Sequence, residues 1–220
     1  MKKQASFNVL LADDHILLRD ALANLINNFT EFNIIGAANN GKQLIDLVKR
    51  GPVPQLIILD LNMPEMDGYE TALWLHENYP DIKLLILTLY DSEIALIRLL
   101  QLGVKGFLKK DVSPSELKTA MLSIINDGYY YAHDTTGKLA ALFRKNGKEQ
   151  TSVDRAMLSS IEIEFLKLAS SELTYKEIAD VMKLNPRAID NYRDSLFDKL
   201  EVKSRVGLAI YAVKNGIVNL

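Results

Sequence analysis

Five times between Val9 and Glu116 the chain repeats one pattern: a short unbroken aliphatic run, a polar turn, then apolar residues at helical spacing. Val9-Leu10-Leu11-Ala12 leads into Asp13-Asp14, after which Ile16, Leu17, Leu18, Ala21, Leu22, Leu25 and Ile26 recur with the period of a helix. Ile34 to Ala37 precedes a helix over 42–49, Leu56 to Leu59 one over 69–77, and Leu84 to Leu87 one over 93–102. Gly106-Phe107-Leu108 precedes a helix that opens Ser113-Pro114-Ser115-Glu116. There Ser113 supplies the N-cap, Pro114 occupies N1 where no donor is missed, and Glu116 reaches back from N3. Aliphatic runs this short suit strands buried on both faces. Their alternation with helices predicts an α/β doubly wound sandwich around a five-stranded parallel sheet.

In an open parallel sheet, ligands bind outside the carboxyl ends of the strands. Those ends deliver Asp13 and Asp14, then Asp60, Thr88 and Lys110. Singly, each has an ordinary reading: a turn-capping acid, a loop acid, a β-branched strand residue, a solvated lysine. Together they place three carboxylates at one edge, where they repel unless a positive charge lies between them. Lys110 and a divalent cation are the two candidates, and an oxygen-only pocket suits Mg2+. A carboxylate beside such an ion, with a hydroxyl and an ammonium at hand, is equipped to attack a phosphoryl group and hold it as an aspartyl phosphate. The modification adds about 1.5 to 2 negative charges and three acceptor oxygens.

Residues 7–127 resemble a response-regulator receiver domain of flavodoxin-like fold. The resemblance rests on Asp13-Asp14, the segment Asp60-Leu61-Asn62-Met63-Pro64 with Asp67-Gly68, Thr88, and Gly106-Phe107-Leu108-Lys109-Lys110. It implies Asp60 as the phosphoacceptor and Mg2+ held by Asp14, Asp60 and the main-chain carbonyl of Asn62, with Asp13 acting largely through water. It also implies Thr88 as the switch hydroxyl, Lys110 as the phosphate-pairing lysine and Phe107 as the switch aromatic. Phe107 reads equally as core, and both roles are compatible in a bistable packing element. Tyr90, two residues after Thr88, reads either as a shield of the phosphate or as an exposed loop tyrosine.

From Asp127 the pattern changes, so 1–128 is taken as the receiver and 129–155 as a linker with a short helix over 135–144. Residues 145–152 contain glycine and no apolar side chain, the composition of a flexible linker. His133 reads as an isolated surface candidate rather than a metal ligand, and neither His15 nor His76 strengthens a metal reading.

Residues 156–220 are expected to form a small all-α domain. Ser159-Ser160-Ile161-Glu162 and Thr174-Tyr175-Lys176-Glu177 both carry the capping-box spacing. Asn185-Pro186 begins the next helix as N-cap and N1 residue. Two short helices joined by a tight turn describe a helix-turn-helix. The segment resembles a LuxR-type DNA-binding domain through Leu158-Ser159, Lys176-Glu177-Ile178-Ala179, Lys199-Leu200-Glu201-Val202-Lys203-Ser204-Arg205 and Asn215-Gly216-Ile217. Receiver plus this domain is the arrangement of the NarL/FixJ class. The recognition helix, from Pro186 to about Lys199, would turn Ile189, Leu196 and Phe197 to the core and Arg187, Asp190, Asn191 and Asp194 to the major groove. Asn191 has the geometry for adenine, and Asp190 or Asp194 for cytosine N4. Arg187, Arg193, Lys199, Lys203 and Arg205 are the phosphate candidates. The chain departs from the family in carrying Glu172 where glycine is common and Tyr192 where histidine is common. Glu172 requires either a different helix end or left-handed strain.

Residues 1–128 carry 12 Lys and Arg against 16 Asp and Glu, whereas 183–220 carry 7 against 4, so an acidic first part precedes a mildly basic end that suggests nucleic acid at the C-terminus. With no cysteine, disulfides and thiolate metal sites are excluded. The apolar run after Met1-Lys2-Lys3-Gln4 is broken by Asp13-Asp14-His15, so no signal-peptide core forms, and no window reaches membrane-span length. A cytoplasmic protein with no membrane partner is expected. The function expected is a two-component response regulator: a sensor histidine kinase phosphorylates Asp60, and the protein, homodimeric when phosphorylated or DNA-bound through its last helix, binds promoter DNA. It would be no enzyme, apart from catalysing its own phosphoryl transfer and slow dephosphorylation. One alternative is a phospho-independent DNA-binding or interaction module with a scaffold receiver. Another is a metabolite phosphatase with an aspartate nucleophile. The latter lacks the second acid two residues after Asp60, where Asn62 stands.

Overall fold

The computed structural model describes residues 6–88, 93–131, 158–215 and 217–218, without the side chains of 93–95, 97 and 160. Tyr90, His133, the helix expected over 135–144 and the linker over 145–152 lie outside the described residues. The chain divides into two compact units.

The first unit is built on a parallel sheet of order β2-β1-β3-β4-β5-β6. Its strands are β1 (Phe7–Ala12), β2 (Phe32–Ala38), β3 (Leu56–Asp60), β4 (Lys83–Thr88), β5 (Gly106–Lys109) and β6 (Tyr130–Tyr131). Every residue of β3 is buried, as expected of a central strand covered on both faces. Helices α1 (Ile16–Asn27), α2 (Gly41–Arg50), α3 (Gly68–Asn78), α4 (Glu93–Gln101) and α5 (Pro114–Asn126) alternate with the strands. Val9, Leu11, Ile58, Leu85, Leu108, Met121 and Ile124 form one continuous core. Burying each such aliphatic side chain contributes about 1.5–3 kcal/mol. Because the strand order turns back at β1, the ends of β1 and β3 open side by side, which is where a doubly wound fold places its crevice.

Two features differ from the sequence pattern. The sheet gains a sixth strand: β6 pairs with β5, Gly106 facing Tyr130 and Phe107 facing Tyr131. Two residues carry no periodicity to read, and the pairing is anchored instead by Tyr131 Oη donating to the Val104 carbonyl at 3.1 Å. On α1, Ile26 is buried, but Ile16 and Leu17 at the first turn are 62% and 86% exposed. Helical spacing alone does not tell which end of the apolar stripe overhangs the sheet.

The second unit contains α6 (Ser160–Ala169), α7 (Tyr175–Met182), α8 (Pro186–Leu200) and α9 (Arg205–Lys214). Phe165, Leu166, Ile178, Ile189, Leu196, Leu208 and Ala212 form its core. Both capping boxes are present, Ser159 with Glu162 and Thr174 with Glu177. Asn185 caps α8 by accepting from the Ala188 amide at 2.8 Å. Lys183, in the turn between α7 and α8, has φ 54°, and Glu201, closing α8, has φ 56°. Both are left-handed C-caps of the kind glycine usually fills.

Glu172 is not in that conformation. The end of α6 turns differently: Ser170 Oγ donates to the Leu166 carbonyl and Ser171 Oγ to the Leu168 carbonyl, both at 2.7 Å. Arg205 supplies the rest, Nε donating to the Ala169 carbonyl at 2.9 Å and Nη2 to the Ser171 carbonyl at 2.7 Å and the Leu173 carbonyl at 2.5 Å. Side-chain donors thus satisfy the carbonyls that a glycine turn would otherwise close on itself.

Candidate functional site: an acidic pocket and a helix-turn-helix face

At the end of β1 the chain delivers Asp13, 1% exposed, and at the end of β3 Asp60, 3% exposed. Lys110, one residue past β5, places Nζ 2.8 Å from Asp13 Oδ2 and 2.8 Å from Asp60 Oδ2. The lysine therefore bridges two strand ends. Asp60 Oδ1 accepts from the Leu61 amide at 2.8 Å. Burial raises the Asp60 carboxyl above its usual range, with Lys110 opposing and Asp13 reinforcing the shift. Burial alone would lower the Lys110 ammonium, but its close contacts with the Asp13 and Asp60 carboxylates outweigh it and hold the group raised.

Glycine is required where α3 meets this strand end, because a Cβ at Gly68 would collide with the Asp60 carbonyl oxygen. The first turn of α3 is thereby packed directly onto the phosphoacceptor candidate. Thr88 is fully buried at the end of β4, and its carbonyl accepts from the Lys110 amide at 2.9 Å. Phe107 is buried in β5 opposite Ile86. Asn62 is half-buried in the loop after β3.

Asp13, Asp14, His15 and Asp60 each bring a ligand atom within 4.8 Å of the others. His15 Nδ1 lies 2.9 Å from Asp14 Oδ1 and 3.2 Å from Asp13 Oδ1. The imidazole at this mouth was set aside in the sequence, although its position directly after Asp13-Asp14 was the signal. Asp14 Oδ1 and Asp60 Oδ2 are buried acceptors without a hydrogen bond of good geometry: His15 Nδ1 and Lys110 Nζ lie 2.9 Å and 2.8 Å away without meeting it, so Lys110 acts on Asp60 Oδ2 as a nearby charge. Orphaned buried carboxylate oxygens are costly. Three acids against one ammonium, with two oxygens unsatisfied, form a donor set that fits a divalent cation.

On α8, Arg187, Asp190, Asn191 and Asp194 are exposed, while Ile189 and Leu196 are fully buried and Phe197 is packed on the core. The phosphate candidates divide. Arg193 Nη1 lies 2.8 Å from Asp190 and Nη2 2.8 Å from Asp194, and its guanidinium stands 5.4 Å from the Tyr175 ring centroid. Lys199 Nζ pairs with the capping-box Glu162 at 2.9 Å, joining α8 to α6. Arg205 holds the carbonyls described above, and its guanidinium also stands 5.3 Å from the Tyr175 ring centroid. Only Arg187 and Lys203 of the five are exposed. The internal roles of Lys199 and Arg205 had no sequence signal, since their partners are 32 to 37 residues away and depend on the bundle, whereas the i,i+3 spacing of Asp190 and Arg193 was a signal that went unread.

A buried acidic pocket at the strand ends of a doubly wound sheet, followed by a capped helix-turn-helix, defines a signalling receiver joined to a DNA-binding module. Family models agree: residues 9–122 match the response regulator receiver domain and residues 156–212 the bacterial regulatory proteins of the luxR family. The nitrate/nitrite response regulator protein NarL of Escherichia coli strain K12 is 31% identical over 211 residues, 96% of this chain and 97% of that protein. The transcriptional regulatory protein YdfI of Bacillus subtilis strain 168 is 31% identical over 212 residues, 96% of this chain and 98% of that one. Among solved structures, RcsB of Salmonella enterica serovar Typhimurium, bound to promoter rprA in the presence of the phosphomimetic BeF3-, superposes with TM-score 0.69 at 22% identity, covering 94% of this chain and 98% of that one. The chain belongs to the NarL/FixJ class of two-component response regulators, with an N-terminal receiver and a C-terminal LuxR-type DNA-binding domain. It therefore belongs to a family of transcription regulators. No helix among the described residues is long and apolar enough to cross a membrane.

Proposed function

We propose that Asp60 accepts a phosphoryl group from a sensor histidine kinase and that the modified protein binds promoter DNA as a homodimer in the cytoplasm. The observation that carries this reading is the pair of orphaned oxygens on Asp60 and Asp14 beside the Lys110 ammonium. Asp14, Asp60 and the Asn62 carbonyl would hold Mg2+, with Asp13 acting through water; bound there, the ion neutralises charge on the transferring phosphoryl oxygens. An Asp60 oxygen attacks phosphorus as the bond to the donor's leaving group breaks, giving an acyl phosphate with no change in oxidation state. Lys110, already pointed at Asp60, pairs with a phosphoryl oxygen, and Thr88 donates to another. That donation draws the end of β4 toward the phosphate, and Phe107 on the neighbouring strand repacks. The same pocket would admit water for slow dephosphorylation.

In the second unit, Asn191 reads a base edge, with Asp190 and Asp194 flanking it, while Arg187 and Lys203 contact phosphates. Arg193, Lys199 and Arg205 shape and hold the reading helix. Val206 and Ile210 leave an exposed apolar strip on α9, 67% and 51% accessible, that suits pairing with its copy on two-fold related half-sites. Among the structural relatives, RcsB is solved as dimers bound to DNA.

The test is intact-mass measurement after incubation with Mg2+ and a small phosphodonor. One added phosphate is expected in the wild type and none in Asp60→Asn. Equal addition in both would sink the assignment.

A further inference from the structure

We propose that Glu65 is a positioning residue that clamps the loop carrying the Asn62 carbonyl onto the turn between β2 and α2. This rests on the reading of the acidic pocket as a cation site and adds to it a residue outside the ligand set.

Glu65 stands at φ 64° in the left-handed region, where an L side chain without local hydrogen bonding is disfavoured and glycine is at ease. Such outliers persist where surrounding contacts over-determine them. Here the contacts are on the page. Asn40 Nδ2 donates to Glu65 Oε1 at 3.0 Å, and Lys42 Nζ lies 3.5 Å from Glu65 Oε2. The second pair is solvent-exposed and weak. The first is different, because Asn40 is 2% exposed and its Oδ1 is already committed to the Gln43 amide at 2.9 Å as the N-cap of α2. Capping fixes the amide's orientation and aims its donor at Glu65.

The backbone tightens the same junction. The Gly41 amide donates to the Met66 carbonyl at 3.1 Å, and a Cβ at Gly41 would collide with Thr71 Oγ1 and crowd Met66. Within the loop, the Met66 amide donates to the Pro64 carbonyl at 2.7 Å and the Gly68 amide to the Leu61 carbonyl at 2.9 Å. Residues 61–68 are therefore closed at the base by Leu61 and Gly68 and tied at the apex by Glu65. Asn62 and Met63 lie between those two fixed points, so the Glu65 contact restricts where the Asn62 carbonyl can stand. A supporting residue that orients a ligand typically changes metal affinity 10- to 100-fold when removed.

The full-length protein with Glu65→Gly, Glu65→Gln and Asn40→Asp separates positioning from stability. Glycine relieves the left-handed strain but removes the acceptor; glutamine keeps the acceptor; Asn40→Asp keeps the α2 cap but loses the donor. Calorimetric titration with MgCl2 should show affinity weakened about tenfold in Glu65→Gly and Asn40→Asp and largely restored in Glu65→Gln, with the Glu65→Gly melting temperature in EDTA unchanged or raised. Amide exchange at Met66 and Gly68 without cation should quicken in the same two variants. Wild-type Mg2+ affinity and exchange in Glu65→Gly would overturn the clamp. Should the wild type bind no Mg2+ at all, the cation reading falls, and the exchange rates alone then decide the clamp.

Discussion

The receiver pocket and the helix-turn-helix face handle buried and half-buried charge in opposite ways. In the pocket, one ammonium serves two buried carboxylates and two acidic oxygens stay unsatisfied. On the second unit, three of five basic candidates are already paired: Arg193 with Asp190 and Asp194, Lys199 with Glu162, Arg205 with three carbonyls. An electrostatic deficit left inside a fold marks where something from outside completes it. A self-paired surface shows the reverse, that most of its charge serves architecture and few residues are free for the partner.

The contrast breaks or sharpens in four ways. Lys110→Met should have the largest effect, lowering receiver stability by about 3 kcal/mol in urea unfolding, because it strands two buried carboxylates. Adding Asp60→Asn should recover part of the loss, and a Lys110→Met protein as stable as the wild type would mean the pocket is wetter than its burial indicates. Next, Arg205→Ala should destabilise the second unit by about 2 kcal/mol through lost carbonyl bonds. Lys203→Ala should leave stability within about 0.5 kcal/mol yet reduce the slope of DNA affinity against salt by about one phosphate. Interchanged results for the two variants would dissolve the division between architectural and contacting cations.

A smaller effect is expected of Asp194→Asn, which partly frees Arg193: the salt slope should steepen by up to about one phosphate. An unchanged slope would mean the arginine stays on Tyr175 and Asp190. Smallest is a pH effect on the second unit. Burial alone would raise the Glu162 carboxyl, but Lys199 and the Ser159 cap outweigh it and hold the group below its ordinary value of 4.5. A depressed carboxyl stabilises the fold at pH above its unfolded value, and the gain disappears as pH falls through the folded value. Acid titration of the melting temperature should therefore show a decline below about pH 4.5 that Glu162→Gln flattens.

Much of the receiver was legible because its information is local. Aliphatic runs give β1 to β5, and four of those strands end at or beside a residue whose type suggests its chemistry, so Asp13, Asp60, Thr88 and Lys110 could be gathered before any coordinates. Ser113, Ser159, Thr174 and Asn185 likewise announce their helices by spacing alone. What stayed hidden has other causes. β6 is too short to show a period, His15 stood beside its two acids but was passed over, and the Asn40 to Glu65 bond spans 25 residues. Arg205 was read as a phosphate contact because basic residues near a recognition helix invite it. Its acceptors, 32 to 36 residues earlier, become visible only once α6 and α9 pack.

The sixth strand carries a mechanical corollary. Tyr131 is the last described residue of the first unit, and it pairs with Phe107, three positions ahead of the lysine that grips Asp60. The end of β6 is thus leashed to the very ribbon that repacking would tug, so a displacement there reaches Tyr131 with no intermediary.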